Sequence, residues 1–307
     1  MQMSTTLKFD RALNQMGITQ DRLSKTQLQL SSGKEVLKPS DAPAQAAAIT
    51  RLNTVIDRQQ SYLDTINTVR DKLSQQETAI NSSTEVLIRL KELAVQGANA
   101  TNGPKDRQYI AIEVKELRNQ LLSLANTQDV NGNYIFSGTR TGKAAFGTDA
   151  SGKMVYQGDM SISPAGTGDQ RTTDTNQPGT NPFGKLVRTA EDGSQQGVGF
   201  FQSIDDFAAA LNNNDTAGLQ RSVAEMGSLQ ESMSASQATI GAAGNTLDAQ
   251  ASLAEETLLR LKGTLSKVQD IDYTEAITKM NKDMLALQAA QSSFAKISQL
   301  NLFDYIK

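Results

Sequence analysis

The sequence predicts a mainly α-helical protein with a small β-rich insertion, in which both chain ends form a long antiparallel helical bundle or coiled coil. A heptad pattern of apolar residues runs without a phase change from Leu219 to Val268. Gly, Thr, Asp and Pro are concentrated between Gly138 and Gly199, which is typical of turns and short strands. One helix over 219–268 would be about 75 Å long at 1.5 Å per residue. Such a rod needs partners along its length.

The composition excludes several classes of function. The chain has 307 residues, no Cys and no His, so cysteine nucleophiles, Ser–His dyads, disulfides and the usual structural zinc sites are excluded. The net charge is −3 and basic residues do not cluster, so we expect no nucleic-acid partner. Aromatic residues make up 5% of the chain, without Trp, which predicts thin helix seams rather than a globular core.

We also expect no membrane partner and no cleaved secretory signal. No stretch approaches the ~18 apolar residues of a membrane span, and the first residues lack the apolar segment of a signal peptide. If the protein leaves the cell, the sequence predicts a route without such a signal.

The two ends of the chain carry amphipathic patterns of similar length. We expect the first helix to end at Ser31-Ser32-Gly33, with Gly33 as a left-handed cap, and a last helix to follow Asp270-Ile-Asp-Tyr. These segments, 1–42 and 271–307, are assigned to a terminal coiled-coil domain. Its predicted seam consists of Leu13, Met16, Leu23, Leu30, Ile277, Met280, Met284, Leu287, Phe294 and Ile297.

Long apolar stripes assign 43–139 and 200–270 to a central long-helix bundle. Pro43 suits a first helical turn, that helix should end near Gly97, and a third helix should begin at Pro104 and fold back as an antiparallel hairpin. The predicted central seam consists of Ile49, Leu52, Ile56, Leu63, Ile66, Leu73, Ile80, Leu87, Leu247, Leu258, Leu261, Leu265 and Val268.

The remaining segment, 140–199, is assigned to a β-rich outer insertion. Just before it, Asn131-Gly132 predicts a tight turn. Strands are predicted at Asn133–Phe136 and Met154–Gln157. After the insertion, a short helix is expected over 203–212, beginning around Asp205-Asp206.

Residues that could carry chemistry have simpler interpretations. Asp205-Asp206 and Glu255-Glu256 are adjacent on helices and do not face one another, which favours capping or a solvated face. Asp129-x-Asn131-x-Asn133 resembles a calcium loop, but its Gly is misplaced and no acidic residue closes a twelve-residue loop, so we expect a turn. We therefore predict no catalytic, cofactor-binding or metal-binding residues and no cofactor.

Two interpretations of the terminal stripes stay open at this point. The stripes could bury against each other as a closed coiled coil within one chain. Alternatively, they could stay unsatisfied in the monomer and become buried only in an assembly, because two helices of ~30 residues hide only a narrow strip. We favour ordering that is coupled to assembly.

Several motifs carry a resemblance to a known family. Leu30–Gly33, Leu90–Asn99 and Asp270–Ala276 resemble the conserved ends of bacterial flagellins, over roughly 1–139 and 215–307. Within this superfamily, the chain resembles the hook-associated protein 3 family of hook-filament junction proteins. The motifs that carry this closer match are 38–43, 131–138 and 156–159, whereas Ala145-Phe146 departs from an expected Pro-Phe.

The resemblance implies a flagellin-like fold and a structural, non-enzymatic role at the hook-filament junction, outside the cell. Members of the family are exported unfolded through the flagellar type III apparatus. They form a ring after hook-associated protein 1 and template the first flagellin subunits. The implied partners are other copies of the chain, hook-associated protein 1, flagellin, and an export chaperone that holds the C-terminal region.

Three alternatives are weighed against this interpretation. The first is a flagellin that polymerises by itself. The second is an enzyme with a hydrolase or glycan-processing site in 140–200, disfavoured by the lack of His and Cys and the scarcity of carboxylates there. The third is a cytosolic coiled-coil scaffold, which predicts a stable oligomer with folded ends.

Overall fold

A computed structural model describes the backbone of residues 2–150, 152–189 and 194–303, and their side chains except those of 2–6, 8 and 297–303. The described chain is mainly α-helical with short antiparallel strands, which confirms the predicted fold class. Its helices are α1 Gln2–Ser32, α2 Pro43–Ala98, α3 Pro104–Ala125, α4 Phe200–Asn213, α5 Thr216–Gln269 and α6 Tyr273–Phe303. Its strands are β1 Phe146–Thr148, β2 Met154–Tyr156, β3 Pro164–Gly168, β4 Arg171–Asp174, β5 Leu186–Thr189 and β6 Gln195–Val198.

The helix boundaries follow the signals in the sequence. Helix α1 ends at Ser32, and Gly33 has a φ of 69°, a left-handed conformation that glycine adopts at little cost. Helices α2 and α3 begin at Pro43 and Pro104, where the missing N–H of proline costs nothing. The Asp106 carboxylate also accepts a hydrogen bond from the Gly103 N–H at 3.0 Å. The predicted heptad helix is confirmed as the unbroken α5.

The chain divides into two compact units, one made of 1–59 with 256–307 and the other of 60–255. The boundaries fall inside α2 and α5, so each long helix contributes to both units. They differ from the predicted boundaries after 42 and before 271. The three-part division of the chain stays a prediction.

In the first unit, α1 and α6 pack antiparallel. At one end, the Ile271 N–H donates to the Gly33 carbonyl oxygen at 3.0 Å, and the Glu35 N–H donates to the Gln269 carbonyl oxygen at 2.8 Å. Further along the pair, the rings of Phe9 and Phe294 meet edge to face, with centroids 4.9 Å apart. The two backbone hydrogen bonds at one end and the ring contact further along therefore fix the register of the pair.

In the second unit, α2 packs antiparallel to both α3 and α5. The Arg89 Nε donates to Glu113 Oε1 at 2.8 Å, which confirms the predicted α2–α3 hairpin. Arg70 and Asp248 join α2 to α5 at 3.1 Å. Apolar heptad positions of both long helices are buried in one core, among them Ile66, Leu73, Ile80, Leu87, Leu219, Met226, Met233, Ile240 and Leu247.

The prediction of thin seams without a globular core is wrong for the second unit. Five of the nine phenylalanines contact one another there in a chain of mostly edge-to-face pairs whose ring centroids lie 5.1–6.3 Å apart. Such contacts add to the free energy of burying the rings. This phenylalanine cluster consists of Phe136, Phe146, Phe183, Phe200 and Phe201.

The strands form three separate two-stranded antiparallel sheets within the described residues, β1–β2, β3–β4 and β5–β6. The strand prediction at Met154 is confirmed, whereas the one at Asn133–Phe136 is wrong, since that segment forms only an isolated bridge between Gln128 and Tyr134. Its backbone is held by tertiary contacts instead, such as the hydrogen bond from Gln76 Nε2 to the Ile135 carbonyl oxygen at 2.6 Å.

Candidate assembly interface

The seam between α1 and α6 can be followed by the residues that are not exposed. Their spacing alternates between three and four on both helices, which is the geometry of a two-helix coiled coil. On α1 these positions are Phe9, Ala12, Met16, Thr19, Leu23, Thr26 and Leu30, with Gln29 also partly buried beside Leu30, and on α6 they are Ala276, Met280, Asp283, Leu287, Ala290 and Phe294.

The predicted terminal seam is split between this inner seam and the outside of the pair. Six of its members lie in the inner seam and are partly buried, namely Met16, Leu23, Leu30, Met280, Leu287 and Phe294. Leu13, Ile277 and Met284 are 50%, 45% and 43% exposed. The Ile297 side chain lies outside the described residues.

The exposed members belong to a broader apolar surface that the sequence reasoning missed in part. It comprises large apolar side chains that are 43–68% exposed, and we call it the outward stripe: Leu13, Ile18, Leu28, Ile277, Met284 and Leu285. Ile18, Leu28 and Leu285 escaped notice because they fall outside the heptad phase. Exposed large apolar side chains make the outside of the pair a candidate surface for protein–protein contact.

The predicted central seam is buried to different degrees along its length. In the second unit, Ile66, Leu73, Ile80, Leu87 and Leu247 are buried, and Leu63 packs against the same core. In the first unit, Leu258 is buried, whereas the other members are only partly buried: Ile49, Leu52, Ile56, Leu261, Leu265 and Val268.

The adjacent carboxylates of α4 both form ion pairs: Asp205 lies on the expected solvated face, at 45% exposure, whereas Asp206 is partly buried. Asp205 accepts two hydrogen bonds from Arg118, at 3.0 and 3.1 Å. Arg188 of β5 donates to Asp206 at 2.7 Å and to both oxygens of Glu225 at 2.6 and 2.9 Å. The hydrogen bond from Arg188 to Glu225 raises the pKa of Arg188 above its ordinary value. These contacts tie β5, α4 and α5 together and occupy the carboxylates.

The calcium-like sequence forms the predicted turn. Asp129 Oδ1 accepts hydrogen bonds from the N–H groups of Asn131 and Asn133 at 2.8 and 2.9 Å. Hydrogen bonding from the Asn133 backbone lowers the pKa of Asp129, and Gly132 adopts a φ of 80°. Within the described part of the chain, no three acidic residues come together as a metal-binding group. None of the described helices is long and apolar enough to cross a membrane.

Comparison with known proteins agrees with this geometry. The model of the bacterial flagellin N-terminal helical region matches residues 3–141, and that of the C-terminal helical region matches residues 223–306. The flagellar hook-associated protein 3 of Escherichia coli K12 is 27% identical, with 100% of both chains covered. The flagellar filament 41 kDa core protein of Borreliella burgdorferi is 23% identical, over 92% of this chain and 93% of that protein.

A solved structure shows the same fold. Hook associated protein-3 from Legionella pneumophila has a TM-score of 0.65 and 18% sequence identity, and the match covers 72% of this chain and 98% of that one. The flagellin models match α1, α2 and α3 at one end and most of α5 with α6 at the other, and these are the helices that form the terminal pair and the central bundle. The chain therefore belongs to the bacterial flagellin family.

Proposed function

We propose that the chain is a structural protein of the hook-filament junction of the bacterial flagellum. In this role it forms a ring of copies that contacts hook-associated protein 1 on one side and flagellin on the other. The full-length similarity to hook-associated protein 3 of Escherichia coli supports the junction role, since the alignment leaves neither chain with a large unmatched domain.

The outward stripe is the observation that carries the proposal. The α1–α6 pair buries only one face of each helix, and the apolar side chains of the outward stripe remain 43–68% exposed within the described chain. Burying one large apolar side chain contributes roughly 1.5–3 kcal/mol. Neighbouring copies that cover this stripe would stabilise both the terminal pair and the ring, so that the ends become fully ordered on assembly.

The inner seam supports the same conclusion. Most of its large apolar members stay partly exposed in the isolated chain, and its other positions are filled by alanine, threonine and Asp283. A two-helix pair with such a seam is marginal alone. We infer that the monomer passes easily to an open state, as required for export through a narrow channel, and that a chaperone holds the C-terminal region beforehand.

The central bundle has the complementary role of a preformed body. Most of its apolar heptad positions are buried in the second unit, and the phenylalanine cluster belongs to the same core. Such a core does not depend on neighbours. In the proposed ring, the second unit is the stable part of each copy, while the terminal helices make the mechanical joint outside the cell.

A self-polymerising flagellin is the second candidate, favoured by the similarity to the filament protein of Borreliella burgdorferi. The two functions differ in a simple property. A filament subunit adds to its own kind without limit, whereas a junction protein stops after a closed ring. We propose no enzymatic role, because the named relatives are structural proteins of the flagellum.

Complementation tests the proposal directly. The chain is expressed in a bacterium that lacks its own junction protein, and motility and the flagellin lost to the medium are measured. The expected result is restored motility, with flagellin retained on the hooks. The variant Thr172→Ala, at an exposed position of β4, serves as a control that should behave like the unchanged chain. Long filaments formed by the purified chain alone would overturn the junction role.

A further inference from the structure

The inner seam contains a polar stretch in the middle of an apolar pattern. Thr19 and Thr26 are buried seam residues of α1, and Asp283 is a seam residue of α6. The two threonine hydroxyls are satisfied within α1, where they donate to the carbonyl oxygens of Gln15 at 2.9 Å and Arg22 at 3.0 Å. The threonines therefore fill seam positions without leaving a polar group unpaired.

Asp283 differs from them. Its Oδ2 atom is buried and has no hydrogen-bond partner among the described residues, and it is the one such atom found in the described part of the first unit. The four others found in the described chain, on Gln75, Gln177, Thr180 and Gln250, all lie in the second unit.

The position of Asp283 explains the lack of a partner. It lies between Met280 and Leu287 along the seam of α6. The Gly33–Ile271 and Phe9–Phe294 contacts set a register that brings it level with the turn of α1 between Thr19 and Leu23. The seam residues of that turn are Thr19, whose hydroxyl donates to the Gln15 carbonyl oxygen, and Leu23, whose side chain is apolar.

A buried carboxylate oxygen without a hydrogen-bond donor weakens the α1–α6 pair. A carboxylate oxygen that has lost water without gaining a donor carries a desolvation penalty, even where the rest of the group is partly solvated. Even buried ion pairs can often be replaced by apolar residues of similar volume with a gain in stability, because the charged groups have lost water. A single polar residue in a coiled-coil seam likewise fixes register at a cost in stability.

We propose that Asp283 is a built-in weakening residue, which keeps the α1–α6 pair easy to open in the free chain. Its role in the cell rests on the proposed function, because only a chain that orders on assembly gains from a weak pair. The effect of Asp283 on the stability of the pair does not rest on the proposed function, since the opening of the pair can be measured on the purified monomer.

Hydrogen exchange on the purified full-length chain tests the proposal, with the backbone amides of α1 and α6 followed by mass spectrometry. Asp283→Leu should slow their exchange by about tenfold or more, the size expected when an unsatisfied buried group is removed. Asp283→Asn keeps the shape of the side chain, loses the charge, and should slow exchange by a smaller factor.

Gln288→Leu is the matched control, because it places a leucine at an exposed polar position in the middle of the same helix and should change exchange by less than about twofold. Equal or faster exchange in both Asp283 variants would overturn the proposal, and the asparagine variant guards against a leucine that does not fit. This result would leave the junction role standing, since that role is tested separately by complementation.

Discussion

The ring of Phe294, near the end of the chain, meets the ring of Phe9, near its beginning, at a centroid distance of 4.9 Å. More than 280 residues of sequence separate the two, and α1 and α6 are brought together by the Gly33–Ile271 hydrogen bond at the other end of the pair. The contact is therefore a local measure of whether the two chain ends are paired.

Phe294→Ala should destabilise the terminal pair of the free chain by about 1–2 kcal/mol, less than for a fully buried phenylalanine because the ring is only partly buried. The measurement is the rate at which a protease removes the chain ends. Leu285→Ala, at a position that is 68% exposed, should leave this rate nearly unchanged. Equal rates for Phe294→Ala and the unchanged chain would count against the α1–α6 pairing.

Leu23→Asp and Leu287→Asp each place a charge in the inner seam and should abolish assembly, because the carboxylate would be buried without a partner. The second unit should stay folded, since neither residue belongs to it. Motility in the complemented strain and the helical circular dichroism of the purified chain measure the two effects. Motility retained in either variant would argue against a role of the terminal seam in the ring.

Arg188→Ala should destabilise the second unit by roughly 2–3 kcal/mol, because it leaves the buried Glu225 without its main partner. Denaturant unfolding followed by circular dichroism measures the change. Arg140→Ala provides the control, since its ion pair with Asp159 is longer, at 3.8 Å, and more exposed. If both variants unfold at the same denaturant concentration, Arg188 does not hold β5 against α4 and α5.

Alkaline pH should weaken the second unit through Tyr156. Burial raises the pKa of this phenol to about 12 from an ordinary value near 10. Its oxygen lies 2.9 and 2.7 Å from the carbonyl oxygens of Phe136 and Asp159, which share its single hydrogen. A raised pKa in the folded state means a stabilising contribution that is complete below about pH 10 and is lost as the pH rises through about 12.

Tyr156→Phe should lower the stability at neutral pH, because the two carbonyl groups lose a donor, and should flatten the loss of stability between about pH 10 and 12. Unfolding midpoints over this range, compared with those of the unchanged chain, give the answer. An identical pH dependence in the two proteins would show that Tyr156 does not titrate with unfolding.

The extent to which the sequence predicts this structure follows from the range of the interactions involved. The long helices and their ends depend on periodicity and on local residues such as Gly33, Pro43 and Pro104, so they were predicted from sequence. The phenylalanine cluster was not, because its rings come from separate points between 136 and 201 and no local pattern links them. The segment at Asn133 was misjudged for the same reason, since its hydrogen bonds run to distant residues such as Gln76.

The terminal surfaces show a different limit. A heptad pattern selects one face of a helix, so it includes Met16, Leu23 and Leu287 together with Leu13 and Met284, which are 50% and 43% exposed. Only the packing of α1 against α6 separates the inner seam from the outward stripe. Whether the outward stripe carries the assembly stays a proposal.

We propose that neighbouring molecules cover the outward stripe when the protein assembles. The chain has no cysteine, so Met284→Cys and, as a control on an exposed turn of the second unit, Val130→Cys each introduce a single thiol. The measurement is the rate of maleimide labelling in the purified monomer and in isolated flagella. We expect rapid labelling at both positions in the monomer. In the flagellum, we expect position 284 to be strongly protected relative to position 130. Equal labelling of position 284 in the monomer and in the flagellum would show that the outward stripe is not covered on assembly.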